Sequence, residues 1–163
     1  MITLKRLKEL LNYDPETGVF RWRLSRGGKA LKGTVAGTLD KDGYTTIHIG
    51  GRRYRAGRLA FFYVNGKWPS ADVDHEDTDR SNDIFVNLRP ATRSQNHANR
   101  RVVRCGLKGT YQITRPSGYI GYVAQIRNQG KHTYLGVFST EQAAHDVYVA
   151  AAVRLNGEFA RAA

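Results

Sequence analysis

The sequence has one cysteine, Cys105, among 163 residues. A lone cysteine excludes an intramolecular disulfide framework and a zinc site built from cysteines. No apolar run reaches the roughly 18 residues that a membrane-spanning helix needs. The first eight residues alternate charge with leucine, unlike the continuous apolar core of a signal peptide. The sequence therefore predicts a soluble, cytoplasmic protein without a membrane partner.

Acidic residues are also scarce. There are 14 Asp and Glu against 26 Lys and Arg, which gives a net charge of +12 and an isoelectric point near 10.1. Such a balance favours a polyanionic partner. The excess is +9 in residues 1–104 and +3 in residues 105–163. The length fits one ordinary domain or two small ones.

The few acids are concentrated. Five of them lie within residues 74–83, and a sixth is Asp72. Carboxylates gathered in a basic chain indicate a bound cation. An EF-hand calcium loop is excluded, because the central glycine is absent and Leu88 stands at the twelfth position from Asp77, where a bidentate Glu is needed.

Turn signals and periodicity predict an N-terminal antiparallel meander. A helix from Thr3 to about Leu11 precedes it. The turns Asp42-Gly43 and Gly50-Gly51 separate its strands. The predicted elements that follow are a short helix at 59–64, strands around His75 and Asn87, and a polar helix capped by Thr92 or Ser94 and running towards Arg104.

The C-terminal residues have a different pattern. Strands are predicted at 109–113, 119–127 and 132–138, followed by a helix that ends before Gly157. Ser139-Thr140-Glu141-Gln142 has the pattern of a capping box. The helix face is expected to contain Ala144, Val147, Ala151 and Leu155. Modules at 1–104 and 105–163 are therefore predicted, in the α+β class.

Residues 13–100 resemble the HNH endonucleases of the phage and intron homing type. The motifs are Tyr13-Asp14-Pro15-Glu16-Thr17-Gly18, Asp42-Gly43-Tyr44, Arg58-Leu59-Ala60, Asp74-His75, Asn82, Asn87-Leu88-Arg89 and Asn96. The resemblance implies a ββα-metal module. Two positions depart from the family: Asn96 replaces the third histidine of its name, as in the homing branch, and Gly57 replaces a frequent histidine before Arg58.

These residues suit phosphodiester hydrolysis, which needs an activated water and stabilisation of phosphate charge. His75 is the expected general base, since its ordinary pKa is about 6.5. Asp74 and Asn96 offer oxygen ligands, which favour magnesium or manganese over zinc. The resemblance assigns Asn87 to orienting the histidine and bracing the two strands. Arg93 and Arg89 are candidates for clamping the phosphate. Glu76, Asp77, Asp79 and Asp83 are expected to form only loop.

Residues 106–160 resemble the ethylene-response-factor (Apetala-two) DNA-binding domain. The carriers are Gly109-Thr110-Tyr111, Tyr122 to Arg127, Tyr134 to Phe138 and Ala143-Ala144. The resemblance implies a three-stranded sheet laid in the major groove. Alternation should turn Ala124 and Ile126 towards the helix and leave the opposite face for DNA. The expected DNA-binding residues are Arg89, Arg100, Arg101, Tyr111, Arg115, Tyr119, Gln125, Arg127, His132 and Tyr134.

Together these features predict a metal-dependent, site-targeted DNA endonuclease that hydrolyses phosphodiester bonds. One active site per chain implies a nick, with a monomer or a homodimer on double-stranded DNA. A phage-encoded enzyme acting in the host cell fits the homing resemblance. The alternative is a non-catalytic DNA-binding regulator on a degenerate nuclease fold. An RNA-binding protein is weaker, because no aromatic ribonucleoprotein motif is evident.

Overall fold

The computed structural model describes residues 1–28, 30–99 and 106–161. Helices and small antiparallel sheets are combined, in agreement with the predicted α+β class. The chain forms two compact units, Met1–Ala91 and Thr92–Ala163. The predicted module boundary, between residues 104 and 105, lies outside the described residues. Within the described ranges, no helix is both long and apolar enough to cross a bilayer.

The first unit begins with a helix and continues through short strands. In chain order its elements are α1 (Leu4–Leu10), β1 (Leu11–Tyr13), β2 (Phe20–Trp22), β3 (Thr38–Leu39), β4 (Thr45–Ile49), β5 (Arg52–Arg55), α2 (Ala56–Asn65), β6 (Asp72–His75), a 3-10 helix (Phe85–Asn87) and β7 (Leu88–Ala91). β1 pairs with β2 and β6 with β7, while β3, β4 and β5 form a three-stranded sheet.

Helix α1 begins at the predicted cap and ends slightly early. The Thr3 side chain accepts a hydrogen bond from the Arg6 amide at 3.2 Å, which satisfies one amide of the first turn. Leu7 and Leu10 are buried. The predicted end near Leu11 is one residue too late, because Leu11 is already extended and pairs with Trp22 in the β1–β2 ladder.

The predicted meander is confirmed as the sheet β3–β4–β5. The Asp40 amide donates to the Tyr44 carbonyl at 2.8 Å across the first turn. Gly50 and Gly51 both have positive φ, as a two-residue hairpin turn requires. The strand expected to start at Val35 is only Thr38–Leu39, although Val35 forms an isolated bridge with Arg21.

Helix α2 covers this part of the structure and is longer than predicted. Its N-terminus is Ala56 instead of residue 59, and Gly66 ends it in the left-handed conformation with φ of 70°. Its apolar residues join one core with α1 and the sheets. The largest fully buried side chains in this core are Leu7, Leu11, Phe20, Ile47 and Leu59. Burying each of these large apolar side chains stabilises the unit by roughly 1.5–3 kcal/mol.

The second unit contains the predicted three strands and helix. Its described elements are α3 (Arg93–Ala98), β8 (Thr110–Thr114), β9 (Ile120–Asn128), β10 (Lys131–Phe138), α4 (Glu141–Asn156) and a 3-10 helix (Gly157–Phe159). β9 is central and pairs antiparallel with β8 and β10. Ile126 packs against Tyr148, Ala151 and Ala152 of α4. The strand predictions are confirmed within one residue at each end.

Two predictions about α4 are wrong. The cap is Thr140, whose side chain accepts from the Ala143 amide, so Ser139 and Gln142 form no capping box. The buried face is also turned from the predicted one. Ala144 and Ala151 are buried as expected, but Leu155 is exposed. The buried residues that the prediction omitted are His145, Tyr148 and Ala152.

Tyr148 is buried against a glycine of the loop before β8. A Cβ atom on Gly109 would lie 2.0 Å from the Tyr148 ring, and Gly109 has φ of +80°. Only glycine permits this approach in this backbone conformation. The buried face of α4 therefore includes the large Tyr148 ring, which packs on Gly109, as well as the alanines.

Candidate active site

Asp74 and His75 occupy the end of β6. In the β6–β7 ladder Asp74 pairs with Arg89 and His75 pairs with Leu88. Both side chains are buried, each with 6% of its surface exposed. Adjacent strand residues ordinarily point to opposite faces. Here the strand ends at His75, and the turn that follows is closed by the Thr78 amide donating to the His75 carbonyl at 2.9 Å.

The imidazole of His75 has a carboxylate partner. Nε2 of His75 lies 3.0 Å from Oδ1 of Asp83, and Asp83 is only 4% exposed. Burial raises the pKa of Asp83, while hydrogen bonds from His75 and the Thr45 side chain act in the opposite direction. Asp83 is in a loop, as expected. Its place against the histidine was missed, because sequence separation gave no sign of the contact.

Gly57 lies directly against this pair. A Cβ atom at Gly57 would be 2.9 Å from Oδ1 of Asp83, 3.3 Å from Leu88 and 3.5 Å from Cε1 of His75. Gly57 has an ordinary helical position in α2, so the close approach and not its backbone conformation requires glycine here. A histidine at position 57, which the family frequently has, would therefore collide with Asp83.

The N-terminal motif holds the loop that carries Asp83. The Tyr13 hydroxyl donates to the Asp83 carbonyl at 2.7 Å, and burial raises the pKa of Tyr13. The Phe85 amide donates to the Pro15 carbonyl at 2.9 Å. A Cβ atom on Gly18 would lie 2.5 Å from the Asp83 carbonyl carbon. This turn therefore fixes the backbone on both sides of the Asp83 carboxylate.

Asn87 ties down the same loop at its other end. Its Nδ2 donates to Oδ1 of Asp77 at 3.0 Å and to the Asn82 carbonyl at 2.8 Å. Its Oδ1 accepts from the Asp77 amide at 3.0 Å. Asn82 in turn donates to Oδ2 of Asp77 at 2.7 Å. Asn87 therefore braces the turn between the strands, and its role in orienting the histidine stays a prediction.

Asp74 is held by an arginine of the facing strand. Nε of Arg89 lies 3.2 Å from Oδ2 of Asp74, and Nη1 of Arg89 lies 3.8 Å from Glu76. The Arg89 side chain is only 12% exposed. These contacts hold the Asp74 carboxylate, and the expected role of Arg89 in clamping the phosphate stays a prediction.

A group of cationic and aromatic side chains beside His75 was missed by the sequence reasoning. The Tyr44 ring lies 6.0 Å from the His75 ring. The guanidinium of Arg55 lies 3.8 Å from the centroid of Tyr44, and that of Arg80 lies 5.1 Å from it. Both arginines are exposed, and Arg80 also donates to the Asp42 carbonyl at 2.8 Å. The signal was present in the Asp42-Gly43-Tyr44 turn, but its cross-strand partners were not evident.

Asn96 and Arg93 lie on α3, in the second unit. Thr92 and Gln95 form a reciprocal capping box at its start. Arg93 is exposed, and Asn96 is half-buried. The expected DNA-binding residues Arg100 and Arg101 lie outside the described residues. At the end of α3, the Lys108 ammonium donates to the Ala98 carbonyl at 2.7 Å.

The donor chemistry of Asp74 and Asn96 fits a hard divalent cation. A carboxylate and a carboxamide supply oxygen atoms of the kind that magnesium and manganese prefer. Among residues 1–28, 30–99 and 106–161, no group of three or more His, Cys, Asp and Glu side chains is arranged to hold a metal. The predicted ligand pair contains only one residue of these four types, Asp74, and its other member is Asn96.

One face of the second unit's sheet carries the polar and aromatic residues expected to meet DNA. Gln125 pairs with Tyr134, and Arg127 pairs with His132. Directly opposite residues share a face. Arg127, His132 and Tyr134 are exposed, with Tyr134 at 65%. Tyr111, Arg115 and Tyr119 are exposed as well, and the Arg115 guanidinium lies 5.5 Å from the centroid of Tyr119.

The packing face of the sheet agrees with the predicted alternation, with one addition. Ala124 and Ile126 are buried, as expected. Val123 is buried too, although alternation places it on the opposite face; its ladder partners are Tyr111 and Val137. A register shift between Tyr134 and Gly136 forms a bulge in β10. Leu135, within this bulge, packs against the core.

One continuous range, at the end of the first unit and the start of the second, matches a known protein family. Residues 54–98 match the family model of the HNH endonucleases. This range contains Asp74, His75, Asn87 and Asn96, so the resemblance predicted from the sequence is confirmed there. The resemblance of residues 106–160 to Apetala-two domains stays a prediction.

One solved structure is similar over much of the chain. It is described as "DNA binding and cleavage by the HNH homing endonuclease I-HmuI", and the TM-score is 0.45 with 20% sequence identity. The similarity covers 74% of this chain and 75% of that chain. No curated protein matches the sequence.

Proposed function

We propose that this protein is a metal-dependent, site-targeted DNA endonuclease. The observation that supports this most is the placement of Asp74 and His75 together at the buried end of β6, within the range that matches the HNH endonucleases. A carboxylate for a cation and an imidazole for a proton are the two functions that hydrolysis of a phosphodiester requires. The net charge of +12 provides the attraction to DNA.

His75 is the proposed general base. Its imidazole takes a proton from the attacking water, and the buried surroundings keep the ring in one orientation. An electron pair of the water oxygen forms the new bond to phosphorus, and the bond from phosphorus to the 3′ oxygen breaks. The 3′ oxygen leaves with that bonding pair and takes up a proton from solvent. The resemblance implies products with a 5′-phosphate and a 3′-hydroxyl.

Asp74 and Asn96 are the proposed ligands of one magnesium or manganese ion. When bound, the ion supplies Lewis-acid stabilisation of the charge on the phosphate and the leaving oxygen. Arg89 holds the Asp74 carboxylate through its 3.2 Å contact. Asn87 braces the adjoining turn. Arg93, which is exposed on α3, is proposed to contact the phosphate.

The cations beside the site are proposed to hold the DNA backbone. Arg55 and Arg80 stack on Tyr44, close to His75. Stacking on a ring restricts a guanidinium while its N–H groups stay available for phosphate oxygens. Arg100 and Arg101 extend this positive charge along the sequence. Arg55 and Arg80 are thus proposed as phosphate contacts in the first unit, in addition to Arg89.

The second unit is proposed to anchor the enzyme on double-stranded DNA. The exposed face with Gln125, Arg127, His132 and Tyr134 supports this role, because Arg and Gln pair bidentately with guanine and adenine in the major groove. Residues 105–163 are accordingly the proposed binding module, and residues 1–104 the cutting module. One site per chain gives a nick from a monomer, whereas a homodimer on DNA cuts both strands. A phage-encoded protein acting inside the host cell is the proposed setting.

A plasmid assay tests the proposal. Supercoiled DNA is incubated with the full-length protein and magnesium or manganese, with EDTA as the metal-free control. We expect open circles only with metal. We also expect Asn96→Ala to need more magnesium for half-maximal rate, while His97→Ala on the same short helix does not. Metal-independent DNA binding without nicking, across varied DNA sequences, would instead establish the DNA-binding regulator.

A further inference from the structure

We propose that Asp83 is the positioning residue of His75: it accepts the Nε2 proton, so the neutral ring carries its lone pair on Nδ1 and uses that nitrogen as the base. This inference rests on the proposed function of His75 as general base. The pair is joined by a 3.0 Å contact between Nε2 and Oδ1. In a neutral imidazole one nitrogen carries the proton and the other accepts, so the partner of one nitrogen determines the role of the other.

The carboxylate is built into the fold at this place. Asp83 is 4% exposed in a loop whose neighbouring acids, Asp77 and Asp79, are turned to solvent or to other loop groups. A buried carboxylate is costly unless it is paired and hydrogen-bonded. Here the His75 ring and the Thr45 side chain supply those partners. A residue needed only to complete a turn would not have to carry its charge into the core.

Distant segments converge on the position of this one residue. The Tyr13 hydroxyl donates to its carbonyl across 70 positions of sequence, at 2.7 Å. Gly18 approaches its backbone so closely that a Cβ atom would overlap it. The next loop residue but one, Phe85, donates to the Pro15 carbonyl. The turn at residues 13–18 therefore has a role in the site, although it contains none of the proposed reacting groups.

Gly57 and Asn87 complete the support. A side chain at Gly57 would enter the space between α2 and the pair, within 2.9 Å of Oδ1 of Asp83. Asn87 holds Asp77 and the Asn82 carbonyl, and Asn82 is the residue before Asp83. Asn87 therefore acts on His75 through the loop that places Asp83. The asparagine braces the strand connection, and the aspartate directs the imidazole.

The test measures the ring-nitrogen state and the rate in the same proteins. Full-length wild type, Asp83→Ala and Asp83→Asn are labelled with ¹⁵N-histidine and loaded with magnesium. The ¹⁵N shifts of His75 then report which nitrogen carries the proton. Steady-state cleavage of a short duplex over a range of DNA concentrations gives kcat and KM separately. Asp146→Asn is the matched control, because Asp146 is exposed on α4 and an asparagine there can still accept the hydrogen bond from Gln142.

We expect the wild-type ring to carry its proton on Nε2. In Asp83→Ala we expect a mixture of both tautomers and a kcat lower by about 10- to 100-fold, the size of loss found when the partner that orients a metal-bound histidine is removed. KM for DNA should not change, because Asp83 is not proposed to touch DNA. In Asp83→Asn, which keeps the side-chain volume, kcat should follow the fraction of rings protonated on Nε2. The control should match wild type in both measurements.

Several results would overturn the inference. They are an unchanged tautomer together with an unchanged kcat in both Asp83 variants, or a fall in kcat that is not accompanied by a tautomer change. If Asp83→Ala does not fold, Asp83→Asn decides between these outcomes. If wild type fails to cleave DNA with every metal tried, the proposed nuclease function fails. The nitrogen shifts would then still show whether Asp83 directs the His75 ring.

Discussion

Nε2 of His75 and Oδ1 of Asp83 lie 3.0 Å apart, with both side chains buried, although eight positions of sequence separate them. Gly57 of α2 lies so close to the pair that a Cβ atom there would be 2.9 Å from Oδ1 of Asp83 and 3.5 Å from Cε1 of His75. Neighbouring residues that take no part in the chemistry must leave space for this pair and keep its two side chains in contact. Those requirements can be measured.

Gly57→Ala should disturb the site by crowding the His75–Asp83 pair, although Gly57 takes no part in the reaction. Alanine is favoured over glycine in a helix by about 1 kcal/mol, but the added methyl group meets Asp83 at 2.9 Å. Overpacking of this kind costs about 1–3 kcal/mol. We expect a net loss of about 1 kcal/mol in the free energy of unfolding by urea denaturation, with a lower kcat. Val64→Ala, at an exposed position of the same helix, should change stability by less than about 0.5 kcal/mol. A more stable and fully active Gly57→Ala would contradict this packing account.

Arg80→Ala should weaken DNA binding through lost phosphate contact. The logarithm of the association constant falls linearly with the logarithm of salt concentration, and each lost phosphate contact reduces that slope by about 1. Fluorescence anisotropy with a labelled duplex at several salt concentrations measures both affinity and slope. Arg6→Ala removes an equal charge from α1, where Arg6 pairs with Glu9. Equal slopes in the two variants would remove Arg80 from the proposed DNA contact.

Arg127→Ala should separate binding from cutting. Arg127 is exposed on the proposed DNA face of the second unit, opposite His132. We expect weaker binding of duplex DNA and an unchanged single-turnover rate at saturating DNA. Arg154→Ala removes the same charge from an exposed position on α4. If the Arg154 variant loses as much affinity as the Arg127 variant, the sheet face is not the binding surface.

Lys108 gives a pH dependence of stability. Burial, and to a smaller extent the charge of Arg161, lowers the pKa of Lys108 to about 8, against about 10.4 in an unfolded chain. Between these values the unfolded chain binds more protons, so the Lys108 contribution to stability rises as pH increases from about 8 to about 10. Lys108→Met should remove that contribution. Urea denaturation of both proteins across this range measures the difference, and parallel curves would show that Lys108 titrates normally.

The sequence predicts the elements of this protein well because turns and alternation are local. Asp42-Gly43 and Gly50-Gly51 place the meander, and the three C-terminal strands are correct within one residue. The N-cap of a helix is harder to predict where two adjacent residues can both cap it. Ser139 and Thr140 are such a pair, and Thr140 is the cap of α4. The β1 strand was missed because the leucine spacing of α1 continues through Leu11, while the pairing of Leu11 with Trp22 is a tertiary contact.

The site was predictable only in its motif residues. Asp74 and His75 were singled out by their spacing from Asn87 and Asn96. Asp83 was assigned to loop, which is correct for its backbone, but its burial depends on Tyr13 and Gly18, far away in sequence. Arg89 is a predicted phosphate contact, and that role stays a prediction. Its pairing with Asp74 follows from the β6–β7 register, which local patterns do not specify.

The most direct test of the central claim is the nicking rate of His75→Ala against wild type under single-turnover conditions. Supercoiled plasmid, full-length protein and magnesium or manganese are mixed, and conversion to open circles is followed with time. Asp146→Asn again serves as the exposed control. We expect metal-dependent nicking by wild type and the control, and a loss of about 10²- to 10⁴-fold in His75→Ala, as for removal of a general base, with DNA binding retained. Equal rates for wild type and His75→Ala would contradict the assignment of this site.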